Sequence, residues 1–224
     1  MYENHQAVPV TIGLVDPLEL DLFALTNLFN SQPGLSVVGT ASTGEAGVQM
    51  LTEKRPVIAV VEIDLKDRSG FDLASELAMK QRDTRVIFYS AVMPDIFIEQ
   101  ALRSKAAGYV LKTDSLNSLL AAVREVSAGR PYFSEEIRQK LVLDPNNGQM
   151  KTSFDAPLGR LSDRQIEVLR NLAFGMSVKD VARKMHISVK SVDSHKYRIM
   201  QSLEIHDRVD LARFAIREGL VSAS

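Results

Sequence analysis

Leu161–Val221 reads LSDRQIEVLRNLAFGMSVKDVARKMHISVKSVDSHKYRIMQSLEIHDRVDLARFAIREGLV, and at its centre Val189–Leu203 has the spacing of one helix. At 3.6 residues per turn, Val192, Ile199 and Leu203 fall on one stripe of a helix. Lys190, Asp193, Ser194, Tyr197, Arg198 and Gln201 fall on the other side. The first face can pack on a small core. The second is an exposed row of hydrogen-bonding side chains of the kind a DNA major groove accepts.

The flanks give this helix its setting. Val178–Met185 is a short helical run with Ser177 placed to cap it. His186-Ile187-Ser188 is a three-residue turn, and Ser188 is placed to cap the longer helix. A short helix, a tight turn and a longer polar-faced helix form a helix-turn-helix arrangement. Ser162–Phe174 precedes it, ended by Gly175 at a C′ position, and Asp207–Arg217 follows, ended by Gly219. The run as a whole resembles, without a gap, the DNA-binding domain of LuxR-type transcription regulators. The alternative is a four-helix bundle that binds protein.

The chain has 224 residues, enough for two ordinary domains. It has no Cys, so a disulfide framework or a Cys-based metal site is excluded. No apolar run reaches transmembrane length and no signal-peptide pattern opens the chain, so a cytoplasmic protein away from membranes is expected. From Leu161 on there are 11 Lys and Arg against 8 Asp and Glu; residues 1–160 hold 16 against 20. A mildly basic end on an acidic body fits nucleic-acid binding by that end.

Residues 1–130 alternate short apolar runs with amphipathic helices. Met1–Pro9 is a polar leader, expected to fray. Strands are expected at Val10–Val15, Ser36–Gly39, Val57–Val61, Arg85–Ser90 and Gly108–Leu111. Helices are expected around Leu18–Phe29 and at Thr43–Lys54, Gly70–Lys80, Pro94–Lys105 and Ser115–Ser127. Near-continuous apolar strands imply a parallel sheet covered on both faces, with ligands beyond the carboxyl ends of the strands. Asp16, Glu62, Ser90 and Lys112 each close such a strand.

That constellation resembles the receiver domain of two-component response regulators over residues 9–130. The resemblance implies two acids after the first strand and an Asp after the third that hold Mg²⁺, the latter accepting a phosphoryl group. It also implies a Ser or Thr and a Lys that contact that group, and an aromatic residue that swings inward on activation. Ser90, Lys112 and Tyr109 match the last three positions, and Gly70 matches the glycine that opens the third helix.

The acids depart from the pattern. Asp16 is present, but its expected acidic neighbour is Pro17, the acceptor position is Glu62, and the usual proline four residues later is Lys66. Mg²⁺ wants near-octahedral oxygen ligands, so losing one carboxylate and lengthening another should weaken its site. In-line phosphoryl transfer depends on position in the same way. Glu62 therefore reads as a permanent negative charge within reach of Lys112 and Ser90, not as a phosphoacceptor. Two alternatives stand beside this. Asp64 could rebuild a cation site with Asp16 and Glu62, or accept phosphate itself. Glu62 and Lys112 could also be an ordinary ion pair in a receiver that only dimerises.

Gly129-Arg130-Pro131 ends the last receiver helix, Ser134–Leu143 can form one more short helix, and Asp144-Pro145-Asn146-Asn147-Gly148 is a dense turn signal. The rest, through Pro157 and Gly159, reads as a tether.

On the longer helix, Lys190 and Arg198 can donate to guanine, each good pair being worth roughly 1–3 kcal/mol of discrimination. Tyr197 can stack, touch a thymine methyl or bond phosphate, and Asp193 can accept from cytosine N4 or repel phosphate. Ser194 and Gln201 complete the face. Lys179, Ser188 and Lys196 sit nearer its ends or edges and suit phosphate. His195 borders the apolar face and reads as a packed or phosphate-touching residue. One such helix gives little contact, so a homodimer on two half-sites of double-stranded DNA is expected. Val209, Leu211, Ala212, Phe214, Ala215 and Ile216 offer apolar surface for a dimer contact.

The sequence thus predicts an α/β receiver, with a doubly wound five-stranded parallel sheet of flavodoxin-like type, over 9–130. A linker with a short helix follows over 131–160, and an all-α four-helix helix-turn-helix domain over 161–224. The expected function is DNA-binding transcription regulation controlled without Asp phosphorylation. Its partners would be DNA, a second copy, and a protein partner or sensor kinase. No nucleophile–base pair or intact metal cage is visible, so neither catalysis nor a cofactor is expected. The other function class is a signalling adaptor whose receiver binds protein.

Overall fold

The computed structural model describes residues 8–80, 83–91, 93–143, 150–152 and 157–221. Most of the polar leader, residues 1–7, and the turn signal over 144–148 lie outside them. Backbone proximity divides the chain into two units: Met1–Ala91 with Ser104–Glu135, and Val92–Arg103 with Glu136–Ser224. Among the described residues, no helix is long and apolar enough to cross a membrane.

The first unit is built on a parallel sheet. Its strands are β1 (Val10–Val15), β2 (Leu35–Ala41), β3 (Ile58–Val61), β4 (Arg85–Ser90), β5 (Gly108–Leu111) and β6 (Tyr132–Phe133). Their order is β2-β1-β3-β4-β5-β6, and every neighbouring pair is parallel. Helices α1 (Glu19–Asn30), α2 (Gly44–Lys54), α3 (Gly70–Lys80) and α5 (Leu116–Ser127) connect strands in this unit, while α4 (Asp95–Arg103) groups with the second. Ile12, Leu14, Ile58, Val60, Ile87 and Val110 pack against Leu22, Leu25 and Phe29 of α1 and Leu119, Val123 and Val126 of α5. Every residue of β3 is buried, which is why that strand reads as a continuous apolar run.

The expected five strands become six. Gly129, at φ +85°, ends α5, and Tyr132 and Phe133 then add to the open edge of β5. Tyr132 N–H donates to Ala107 O and Ser134 N–H to Tyr109 O, both at 3.0 Å. Two residues are too short to show a period, so only the bare edge of β5 makes them a strand.

The segment after β6 also differs. The expected helix over Ser134–Leu143 is only α6 (Glu135–Arg138). Leu141–Leu143 (β7) pairs antiparallel with Met150–Thr152 (β8), inside the expected aperiodic tether. One helical turn fixes many dihedrals for few hydrogen bonds and does not propagate without more. Leu141–Leu143 satisfy their backbone by pairing with β8 instead. A 3-10 turn, Pro157–Arg160, leads into the last helices.

Those helices are α7 (Asp163–Ala173), α8 (Val178–Lys184), α9 (Val189–Ser202) and α10 (Arg208–Arg217). Ser162, Ser177, Ser188 and Asp207 cap them, Ser162 through a full capping box with Gln165. Their shared core includes Ile166, Leu169, Leu172, Val181, Val192, Ile199, Leu211 and Phe214, all buried. Gly175 and Gly219 take the left-handed conformation after α7 and α10, as their placing predicts.

One anchor in the first unit has no signal in the sequence. Asp67, in the loop after β3, accepts from the amides of Gly44 (2.6 Å) and Glu45 (2.8 Å) at the start of α2. Partial burial pushes its pKa up, but these amides outweigh that and hold the carboxyl below its ordinary value. Asp67→Ala should cost about 1 kcal/mol in a urea titration near pH 7, as the loss of a helix cap does. A lowered carboxyl pKa stabilises above the unfolded value and is lost as pH falls through the folded one. The gap between variant and wild type should therefore close below about pH 4.

Candidate functional site

Three strand ends build the first site. Parallel pairing continues one residue past the strands: Asp16 N–H donates to Ala41 O (3.1 Å), Glu62 N–H to Val15 O (2.8 Å) and Lys112 N–H to Ser90 O (2.9 Å). This ladder fixes the backbones that carry Asp16, Glu62 and Lys112 at one edge of the sheet. Their side chains meet there. Lys112 Nζ lies 2.6 Å from Asp16 Oδ2, 2.6 Å from Asp21 Oδ2 and 3.1 Å from Glu62 Oε2.

The expected Glu62–Lys112 pair is therefore present, but the two aspartates are nearer to the lysine. Asp21 is not among the residues that the sequence pattern singles out. Its only signal is weak: an acid in the first turn of α1, five residues after Asp16. Asp16 and Glu62 are buried. Asp16 Oδ1 accepts from Leu18 N–H at 2.8 Å. Glu62 Oε1 is turned onto its own loop, accepting from the amides of Ile63 (2.6 Å) and Asp64 (3.2 Å). The Lys112 ammonium also lies 5.7 Å from the centre of the Tyr89 ring.

Burial pulls the Lys112 pKa down, but its bonds to Asp16 and Asp21 and the nearby charge of Glu62 reverse this, leaving it above the ordinary lysine value. Burial pushes the Asp16 carboxyl up, and its bond to Lys112 only partly offsets that. Three carboxylates around one ammonium make a centre that depends on its single positive charge.

Ser90 is buried at the end of β4. Tyr109 is fully buried, its ring edge-on to Phe88 at 6.1 Å. Asp64 is exposed, and its backbone bridges to Ser69 in the loop. Among the described residues, no three or more His, Asp or Glu side chains are grouped to hold a metal ion. The acid set that the resemblance implies for Mg²⁺ is altered here. Pro17 stands where its second acid would be, and the lysine ammonium lies at hydrogen-bond distance from the carboxylates that remain.

The second site is α9. Val192 and Ile199 are buried and Leu203 is half-buried, as their stripe predicts. Lys179, Ser188, Lys190, Asp193, Ser194, Tyr197, Arg198 and Gln201 are exposed, and Lys196 is half-buried. The turn before α9 carries His186 at φ +52°. Arg164 of α7 donates to Met185 O (2.6 Å) at the end of α8 and to Glu167 (2.8 Å), which braces that turn. His195 is half-buried, and partial burial, then the charges of Arg164 and Arg198, lower its pKa from the ordinary value.

A parallel α/β domain with strand-end acids and a lysine, followed by a helix-turn-helix with an exposed polar face, defines a class. The chain belongs to the response regulators, as a DNA-binding member of the LuxR family and not an enzyme. The family described as "Response regulator receiver domain" matches residues 12–124, and "Bacterial regulatory proteins, luxR family" matches 159–215.

The chain is 30% identical to response regulator GacA of Pseudomonas aeruginosa over 215 residues, covering 96% of this chain and 99% of that protein. It is 26% identical to response regulator UvrY of Escherichia coli over 214 residues, covering 96% and 97%. A solved structure of the RcsB response regulator of Salmonella typhimurium shares the fold, with a TM-score of 0.74 at 18% identity, over 95% of this chain and 100% of that one.

Proposed function

We propose that this regulator works without phosphorylation of an Asp, through a receiver over residues 9–130. A joining segment over 131–160 links it to a DNA-binding domain over 161–224. The observation that carries the proposal is the Lys112 ammonium, 2.6 Å from Asp16 and Asp21 and 3.1 Å from Glu62. Glu62 supplies a permanent negative charge beside Lys112, and its other oxygen is held by two loop amides. Tyr109 is already buried, which corresponds to the inward position that the family reaches on activation. The receiver then needs neither Mg²⁺ nor phosphotransfer from a sensor kinase. Control falls to dimerisation, a protein partner or a ligand.

The chain acts on double-stranded DNA as a homodimer, in the cytoplasm with its target. RcsB has been captured as dimers bound to DNA. Here Val209 and Ile216, seven residues apart on α10, are 61% and 42% exposed and offer a self-complementary apolar contact. Two copies of α9 would read half-sites about one helical turn apart.

The test is to incubate the full-length protein with Mg²⁺ and a small-molecule phosphodonor, with Glu62→Asp alongside. Covalent phosphate is followed by intact mass, dimerisation by light scattering, and duplex binding across a salt series. Wild type should gain no phosphate, yet dimerise and bind DNA with a steep salt dependence. One phosphate gained, with dimerisation only then, overturns the proposal and makes Asp64 the acceptor to map. Failure to bind duplex DNA at any salt concentration favours a protein-binding adaptor.

A further inference from the structure

Hydrogen bonds already made along α9 limit what its exposed face can offer to a base. Asp193, Tyr197 and Gln201 are spaced four apart and form one stripe, with Ser194 beside it. Gln201 Nε2 donates to the Tyr197 hydroxyl oxygen at 2.8 Å, which leaves the phenol proton directed elsewhere, as a donor. Ser194 Oγ donates to Lys190 O at 2.9 Å, which leaves its lone pairs as acceptors. Asp193 is exposed, and a carboxylate only accepts. The middle of the face therefore offers acceptors at 193 and 194 and a donor one turn later at 197.

We infer that this face reads a cytosine through its N4 amino group, with Asp193 as the deciding side chain. The inference rests on α9 being the helix that enters the major groove. In that groove only cytosine N4 and adenine N6 donate; the other edge groups are acceptors or the thymine methyl. Adenine carries its N7 acceptor beside N6, where it would face the second carboxylate oxygen. Cytosine carries a C–H there. Without an amino group opposite it, Asp193 meets only acceptors and the phosphates, so the wrong base is actively rejected. A lysine or arginine at the same place would reverse the choice and take guanine.

The test uses the full chain. Binding sites are first selected from random duplexes. Affinity is then measured at one fixed salt concentration, with the selected cytosine replaced by 2-pyrimidinone, which lacks the N4 amino group. Selected sites should hold one fixed C·G pair in each half-site. Removing the amino group should weaken wild type about tenfold and leave Asp193→Ala unaffected. Asp193→Asn should move the preference to adenine, whose N6 and N7 an amide can pair together. Selected sites with no fixed cytosine, or an equal loss in wild type and Asp193→Ala, overturn the inference while leaving DNA binding intact. If no duplex is selected at all, the groove-reading role of α9 falls, and the inference falls with it.

Discussion

Replacing Lys112 by Met is expected to destabilise the protein by about 3 kcal/mol near neutral pH, the low end of the cost of removing one partner from a buried ionic cluster, because Asp16 and Glu62 are buried while Lys112 and Asp21 are half-buried. The effect follows from what remains. Asp16, Asp21 and Glu62 would face one another with no ammonium among them. A loss of that size is a large share of the roughly 5–15 kcal/mol that holds an ordinary domain folded.

The pH dependence gives the cluster a distinct signature. In wild type the Lys112 pKa is raised, so its contribution is complete below the unfolded lysine value and is lost only as pH rises through the folded one. In Lys112→Met the carboxylates repel one another, and proton uptake by the folded state relieves that repulsion. The variant should regain stability as pH falls from 7 toward 4, and its gap to wild type should narrow. Urea titrations at several pH values check this. A loss under about 1 kcal/mol that does not change with pH would mean that Lys112 is no more than a surface ion pair.

Gly70→Ala is expected to cost about 3 kcal/mol, at the upper end of overpacking effects. A Cβ at position 70 would collide with the carbonyl oxygen of Glu62 and lie 2.9 Å from Ile63 Cα. Both are backbone atoms at the end of β3, so no side chain can turn aside. Gly70 N–H also donates to Ile63 O at 2.8 Å, which holds the start of α3 against that strand end. Relief has to come from the start of α3 or from the backbone that carries Glu62. A thermal melt measures the loss. Gly34→Ala serves as a contrast, since a Cβ there meets nothing within 4 Å and the change acts only through its positive φ.

Much of this molecule is legible in its amino-acid sequence. The helices that carry core side chains at a period of 3.6, and the strands that carry four or more apolar residues, lie within about two residues of their expected limits. The exposed polar face of α9 is legible for the same reason, since a helix long enough to bury Val192 and Ile199 must expose Asp193, Ser194 and Tyr197. Short elements are not legible. The two residues of β6 and the three-residue strands of β7 and β8 carry no period, and they exist because a neighbouring backbone edge is open. Gly70 is visible as a match to a family position. Its physical reason, the close passage of the Glu62 backbone, is not.

Local spacing by itself determined the order of strands and helices, the caps, and which strand ends carry Asp16, Glu62, Ser90 and Lys112. It determined these because periodicity and capping are properties of neighbouring residues. Only the tertiary structure decided that Lys112 is held by three carboxylates and that Asp21, 91 residues away, is one of them. Those contacts depend on the register of β1 against β3 and on where α1 leaves the sheet. Pairing across a parallel sheet joins residues far apart in the chain, and no local pattern records it.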